Sequence, residues 1–252
     1  MRLPFLAAVA AAGLLVLASL APVHAANAQA RPDRLQTVLA QMDAGSAKLQ
    51  SAQADVHQEL FSKVVKDTER QTGQVYFMRK GTSMQMGLRM FPPDAKPGDQ
   101  PAQIVEFKDN KARVFNPGTN QVDEFTASGK NQALAQSLLT LGFGGSGSDL
   151  DKAWIITDQG AEQMSDGSKT VGVEKLDLKP KDASIASNYS HIAIWVDPAR
   201  DISLKQVSFE ASGGTATGDT RTVFYTNIRL NQKVDAGPFT INCKGKCTVV
   251  PH

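Results

Sequence analysis

The sequence predicts a mainly β fold with a few helices (α+β). Three observations lead there. From Thr170 to Phe239 the apolar residues follow no helical period and fall into short runs separated by turn residues. Met84-Gln-Met-Gly-Leu-Arg-Met-Phe91 alternates strictly, placing Met84, Met86, Leu88 and Met90 on one face of a strand. Helical spacing occurs in only two places, after Pro32-Asp33 and around Leu134–Leu141.

The elements follow in order. Arg2, the apolar run Leu6–Leu20 and the small-residue exit Val23-His-Ala25 have the form of a secretory signal peptide over residues 1–25. A retained N-terminal anchor is the competing reading, and no Cys follows the run to accept a lipid. Residues 32–252 are expected to form a single domain exported to the periplasm, large enough for one β core. Asp33 is expected to cap an amphipathic helix carrying Leu35, Val38, Leu39 and Met42, with Gly45 interrupting or ending it and Leu49 on a possible continuation. Ala54–Val65 changes to period two and predicts a first strand. Lys66–Gly73 is expected to be a polar turn, Gln74–Arg79 a strand and Lys80-Gly81 the next turn.

After Met84–Phe91 comes a Pro-rich loop to Asp99. Ile104–Phe107 and Ala112–Phe115 flank the short hairpin turn Lys108-Asp-Asn-Lys111. Gln121–Phe125 is a further short strand. Asn131 is placed to cap a second helix with Leu134, Leu138, Leu139 and Leu141 on its stripe, running into a flexible Gly142–Ser148 loop with an exposed Phe143. In the meander, His191–Val196 puts Ile192, Ile194 and Val196 on one face. A change of parity in Ile202–Phe209 predicts a bulge near Lys205 and Gln206. Ser212–Asp219 is expected to turn and Thr222–Leu230 to be a strand. Disorder is expected only at Ala26–Arg31 and in the C-terminal tail.

Composition excludes several functions. A net charge of +2 favours neither nucleic acid nor a strongly acidic partner. The four histidines are scattered, and no His-Glu-x-x-His, Gly-x-Ser-x-Gly or P-loop is present. Gly142-Phe-Gly144 follows a helix instead of a strand, so it lacks the setting of a dinucleotide loop. Asp149 and Asp151 fit a helix N-terminus better than a cation site. No metal, cofactor or catalytic residue is expected, and the chain is read as a non-enzyme. Cys243 and Cys247 in an exported chain point to a local disulfide; a metal or redox site is the alternative, short of two further ligands.

The methionine row is the informative feature. Methionine is unbranched and polarisable and recurs on surfaces that accept varied apolar partners. Met84, Met86, Leu88 and Met90 therefore line either an ordinary core or a cavity for acyl chains. Leu35, Leu39, Met42, Leu138, Leu139 and Phe143 carry the same alternative, core or lid. Arg79 on its own reads as a solvated turn charge.

The order of these pieces resembles the LolA family of outer-membrane lipoprotein localisation factors. The resemblance runs through Gly73-Gln-Val-Tyr-Phe-Met-Arg79, Ile104-Val-Glu-Phe-Lys-Asp-Asn-Lys-Ala-Arg-Val-Phe-Asn-Pro117 with Gln121-Val after it, the Leu-rich helix, Leu176-Asp-Leu-Lys-Pro180, and Asn227 to Phe239-x-Ile. It implies an incomplete antiparallel β-barrel with a helical lid enclosing an apolar cavity. It further implies a soluble periplasmic carrier that shields acyl chains of lipoproteins or lipids between an inner-membrane donor complex and an outer-membrane acceptor, working as a monomer. Arg79 matches the family's lid-contacting Arg, although Lys80-Gly81 follows it where the family has Pro. Met partly replaces the family's cavity aromatics, and the long Pro92–Pro101 loop and the Cys243–Cys247 end are departures. A non-carrier protein-binding or sensor module on the same fold is the alternative function.

Overall fold

The structure, a computed structural model, describes residues 30–81, 83–126 and 141–251. The expected signal peptide, the expected second helix with Asn131, Leu134, Leu138 and Leu139, and His252 lie outside the described residues. The described chain runs α1 (Ala30–Ser46), β1 (Ser51–Ser62), β2 (Asp67–Lys80), β3 (Ser83–Phe91), β4 (Gln103–Lys108), β5 (Lys111–Asn116) and β6 (Gln121–Thr126). It continues with α2 (Gly147–Ala153), β7 (Trp154–Ser165), β8 (Thr170–Pro180), α3 (Ala183–Ala186), β9 (Tyr189–Asp197), β10 (Ile202–Ser212), β11 (Thr215–Leu230), a 3-10 turn (Gly237–Phe239) and β12 (Thr248–Pro251).

All twelve strands join one sheet in the order β12-β6-β5-β4-β3-β2-β1-β11-β10-β9-β8-β7. Every pairing is antiparallel except β12 against β6, which is parallel. The fold is thus mainly β with helices, an open curved sheet that does not close. Its curl follows from one contact. Two strands separate β8 from β11, and neighbouring strands lie about 4.8 Å apart. Yet the Asn227 N–H of β11 donates to the carbonyl of Asp166, in the β7–β8 turn, at 3.0 Å. Arg200, in the β9–β10 turn, ties the same Asp166 from below at 3.1 Å.

The helices cover one side of the curl. Val38, Leu39 and Met42 of α1 pack on Trp154, Leu176, Leu178, Ile192, Ile194 and Val196, all at most 5% exposed. Burying such side chains contributes about 1.5–3 kcal/mol each. Arg34 at the front of α1 pairs with Glu174 and with Asp158. At its rear, Asp43 accepts from the Ser148 N–H and hydroxyl at 2.9 and 2.7 Å. A Cβ on Gly147 would stand 2.2 Å from the Leu39 carbonyl, so glycine allows α2 to approach α1 this closely. The other side of the sheet is covered by the C-terminal segment. Phe239 stacks edge-on against Tyr76 at 4.8 Å, and Ile241 and Cys247 pack on Ile104, Phe115 and Val122.

Several expectations are corrected. Ala30 is already helical, so Asp33 lies inside the helix and does not cap it, and Leu49 lies beyond its end at Ser46. The expected polar turn over Lys66–Gly73 is strand from Asp67. Its polar residues are matched across the ladder, Gln71 with Gln58 and Arg70 with Glu59, and such pairs override low strand propensity. The expected Ser212–Asp219 turn is tighter, with β11 starting at Thr215. The bulge expected near Lys205 and Gln206 is present, as a register shift between Ser203 and Lys205, and β10 shifts a second time at Phe209/Glu210. The meander contains the short α3 and the 3-10 turn. The tail is not free, since Thr248–Pro251 pairs with β6.

Candidate functional site

The apolar face of β3 is built by register. Phe77 opposes Met86, Val75 opposes Leu88 and Gly73 opposes Met90. On the other flank Phe107 opposes Met86 and Val105 opposes Leu88. A Cβ on Gly73 would meet the Met90 sulfur at 2.5 Å, so this glycine makes room for Met90 to lie flat across β2. Met90 is 2% exposed, whereas Met84, Met86 and Leu88 remain half-buried although they pack against the same core cluster. Phe143 belongs to that cluster as well. Leu35, Leu39 and Met42 sit in the separate cluster on β7–β9. The structure therefore brings together the methionine row and Phe143, and puts the α1 residues elsewhere. Leu138 and Leu139 lie outside the described residues.

Phe143 is not exposed as the glycine-rich setting suggested. It is 1% exposed, bridges to Ile202 and meets Tyr225 edge-on at 5.1 Å. Its loop is fastened to β10: the Ser203 N–H donates to the Gly142 carbonyl at 2.9 Å, and the Ser203 hydroxyl to Leu141 at 2.6 Å. A Cβ on Gly142 would lie 3.3 Å from both the Tyr225 hydroxyl and the Gln206 Nε2. Burial raises the Tyr225 phenol above its ordinary value, yet the residue keeps accessible surface. Tyr225 and Gln206 were not legible as site residues, because each sits in an ordinary strand pattern.

Arg79 is neither solvated nor a turn residue. It opposes Met84 across β2–β3, which puts it on the methionine side. Its guanidinium donates to the Ser46 carbonyl at 2.8 Å and to the Gly144 carbonyl at 3.2 Å, and lies 5.8 Å from the centre of the Phe77 ring. The Ser46 hydroxyl donates to Gly144 at 3.0 Å. A cation at the C-terminus of α1 satisfies carbonyls that the helix leaves open and complements its dipole. The Gly144 N–H in turn donates to the Asp201 carbonyl at 3.3 Å. Asp201 is 2% exposed, and burial pushes its carboxyl up to about 7, against the opposing effects of Arg79 and the Ser46 hydroxyl. The end of β2, the end of α1, the 141–146 loop and the β9–β10 turn thus converge on one clasp.

Cys243 and Cys247 are joined as a disulfide, closing a short turn on the covered outer side. Asp149 lies in the first turn of α2 behind its cap, Ser146. Among the described residues no group of His, Cys, Asp and Glu is placed to hold a metal, and no helix is long and apolar enough to cross a membrane.

No family model and no curated protein matches the chain. Solved structures do. An uncharacterized conserved protein from Thermus thermophilus is similar at 12% identity and a TM-score of 0.49, covering 87% of this chain and 99% of that one. A putative outer membrane lipoprotein-sorting protein domain from Vibrio parahaemolyticus is similar at 14% identity and 0.40, covering 84% and 97%. A LolA superfamily protein from Nitrosomonas europaea is similar at 16% identity and 0.38, covering 82% and 97%. The last belongs to the family whose motif order the sequence resembles. With identities this low and TM-scores under one half, these likenesses carry no argument about function, which rests on the chain's own residues.

Proposed function

We propose that the protein is an exported, periplasmic carrier that shields the acyl chains of lipoproteins or lipids beneath its helices and delivers them to the outer membrane. One observation carries the reading. The row Met84, Met86 and Leu88 lies on the core side of a curled sheet and is still only half-buried. Apolar surface left accessible inside a curl is where hydrocarbon gains most by leaving water, about 0.8 kcal/mol per CH₂. Methionine suits chains of varied shape, because its unbranched thioether repacks readily. In this reading Met84, Met86, Leu88 and Tyr225 line the hollow, Met90 and Phe143 pack as its floor, and the C-terminal end of α1, fastened by Arg79 beside Met84, closes one side. A donor complex in the inner membrane and an acceptor in the outer membrane complete the route, with the carrier acting as a monomer.

The test is mass spectrometry of an organic extract of the purified mature chain. Acyl lipid is expected at a stoichiometry approaching one per chain. An extract free of lipid, from protein expressed in a Gram-negative periplasm, would contradict the reading.

A further inference from the structure

The last turn of α1 rests directly on an acid. A Cβ on Gly45 would lie 2.8 Å from the Asp201 Cβ, so the helix can come this close only with glycine there. Asp201 holds a left-handed backbone, φ 53°, which fixes its side chain under the helix. Its Oδ2 is buried with no hydrogen-bond partner, and so is the indole Nε1 of Trp154. Asp201 and Trp154 line one hollow of about 20 Å³ with Met42, Ser146, Asp149 and Ser203. That is space for a single water, enough to exchange a proton but too small to solvate a carboxylate.

The charged groups around Asp201 are largely committed elsewhere. Arg79 of β2 faces it, but spends its donors on the Ser46 and Gly144 carbonyls. Asp43 of α1 adds negative charge while holding Ser148. Asp149 of α2, across the hollow, is paired with Lys152. Arg200, the residue before it, is bound to Asp197 and Asp166 through two of its nitrogens, and its third is buried without a partner.

We propose that closure of α1 is proton-linked: the Asp201 carboxyl carries a proton while the helix lies over it and gives that proton up when the helix lifts. The direction follows. Closed, the group titrates near 7; open and hydrated, near the ordinary 3.8. The closed form therefore has its full advantage from this group below about pH 4, loses it steadily as pH rises, and loses no more above about 7. Acid tightens the clasp and mild alkali loosens it. As control of cargo release this rests on the carrier reading; as a property of the clasp it does not, and the test uses no cargo.

The chain has two tryptophans, so Trp195→Phe leaves Trp154 alone to report. Trp154 is 0% exposed when α1 is down. Acrylamide quenching of that variant is expected to climb between pH 5 and 7 and level off above. Adding Asp201→Asn, which keeps the size, tolerates the left-handed backbone and cannot ionise, should leave quenching low and flat. Should Trp195→Phe fold poorly, amide exchange over 38–46 in the natural chain gives the same reading. Corrected for intrinsic rates, it should rise at least about tenfold from pH 5 to 7, and not in Asp201→Asn. A flat natural chain, or an equal rise in both proteins, overturns the proposal.

Discussion

The Arg79 guanidinium leaves β2 and donates at 2.8 Å to the carbonyl of Ser46, the last residue of α1. That one bond joins a helix to a strand well separated from it in the chain, and a second nitrogen of the same side chain reaches Gly144. One planar group with several donors therefore holds two covering segments to the sheet, a geometry that suits arginine and not lysine.

Arg79→Ala should destabilise the protein by about 2–3 kcal/mol, because charge-assisted bonds are lost and part-buried carbonyls are left open. Arg79→Lys should recover less than half of that, as a single ammonium cannot serve both carbonyls. Urea unfolding with each variant gives the values. A loss below about 0.5 kcal/mol for alanine would return Arg79 to an ordinary surface charge.

Phe143→Ala separates a packed loop from a flexible one. At 1% exposure, bridged to Ile202 and edge-on to Tyr225, the ring should cost about 3–5 kcal/mol to remove. Thermal unfolding would show this as a clear fall in Tm. An exposed ring in a mobile loop would change Tm scarcely at all.

Asp166 holds the curl and should be acid-sensitive. The Ser168 hydroxyl, the backbone N–H groups of Lys169 and Ser168, and Arg200 keep its carboxyl far below the usual carboxylate range. Its stabilising effect is present above about pH 4 and is lost as pH falls from there. The stability gap between the natural chain and Asp166→Asn should thus be widest near neutrality and narrow towards pH 2, measured by denaturant titration at a series of pH values.

The succession of strands β3 to β6 along the chain was readable because its signals are local. Asp109 and Asn110 both take left-handed backbone in the β4–β5 turn, as the Asp-Asn pair implies. The alternation of Met84–Met90 fixed one face of β3 before any partner was known. The failures are equally physical. Asp67–Gly73 looks like a turn until β1 supplies cross-strand partners for its polar side chains. Phe143 looks exposed amid the glycines and serines of 142–148 until Ser203 is seen to fasten the loop. Arg79, Ser46, Gly144 and Asp201 come from four stretches of sequence, and no spacing rule could bring them together. The resemblance pointed to Arg79 alone; its partners are tertiary information.

Dye binding to delipidated protein tests the accessible methionine face most directly. An apolar dye should brighten on the natural chain and be displaced by fatty acid. Met86→Asp should abolish the signal, while Gln85→Asp, on the opposite face of the same strand, should leave it intact. No brightening with the natural chain, or equal brightening with Met86→Asp, would mean that the curl holds no hollow open to hydrocarbon.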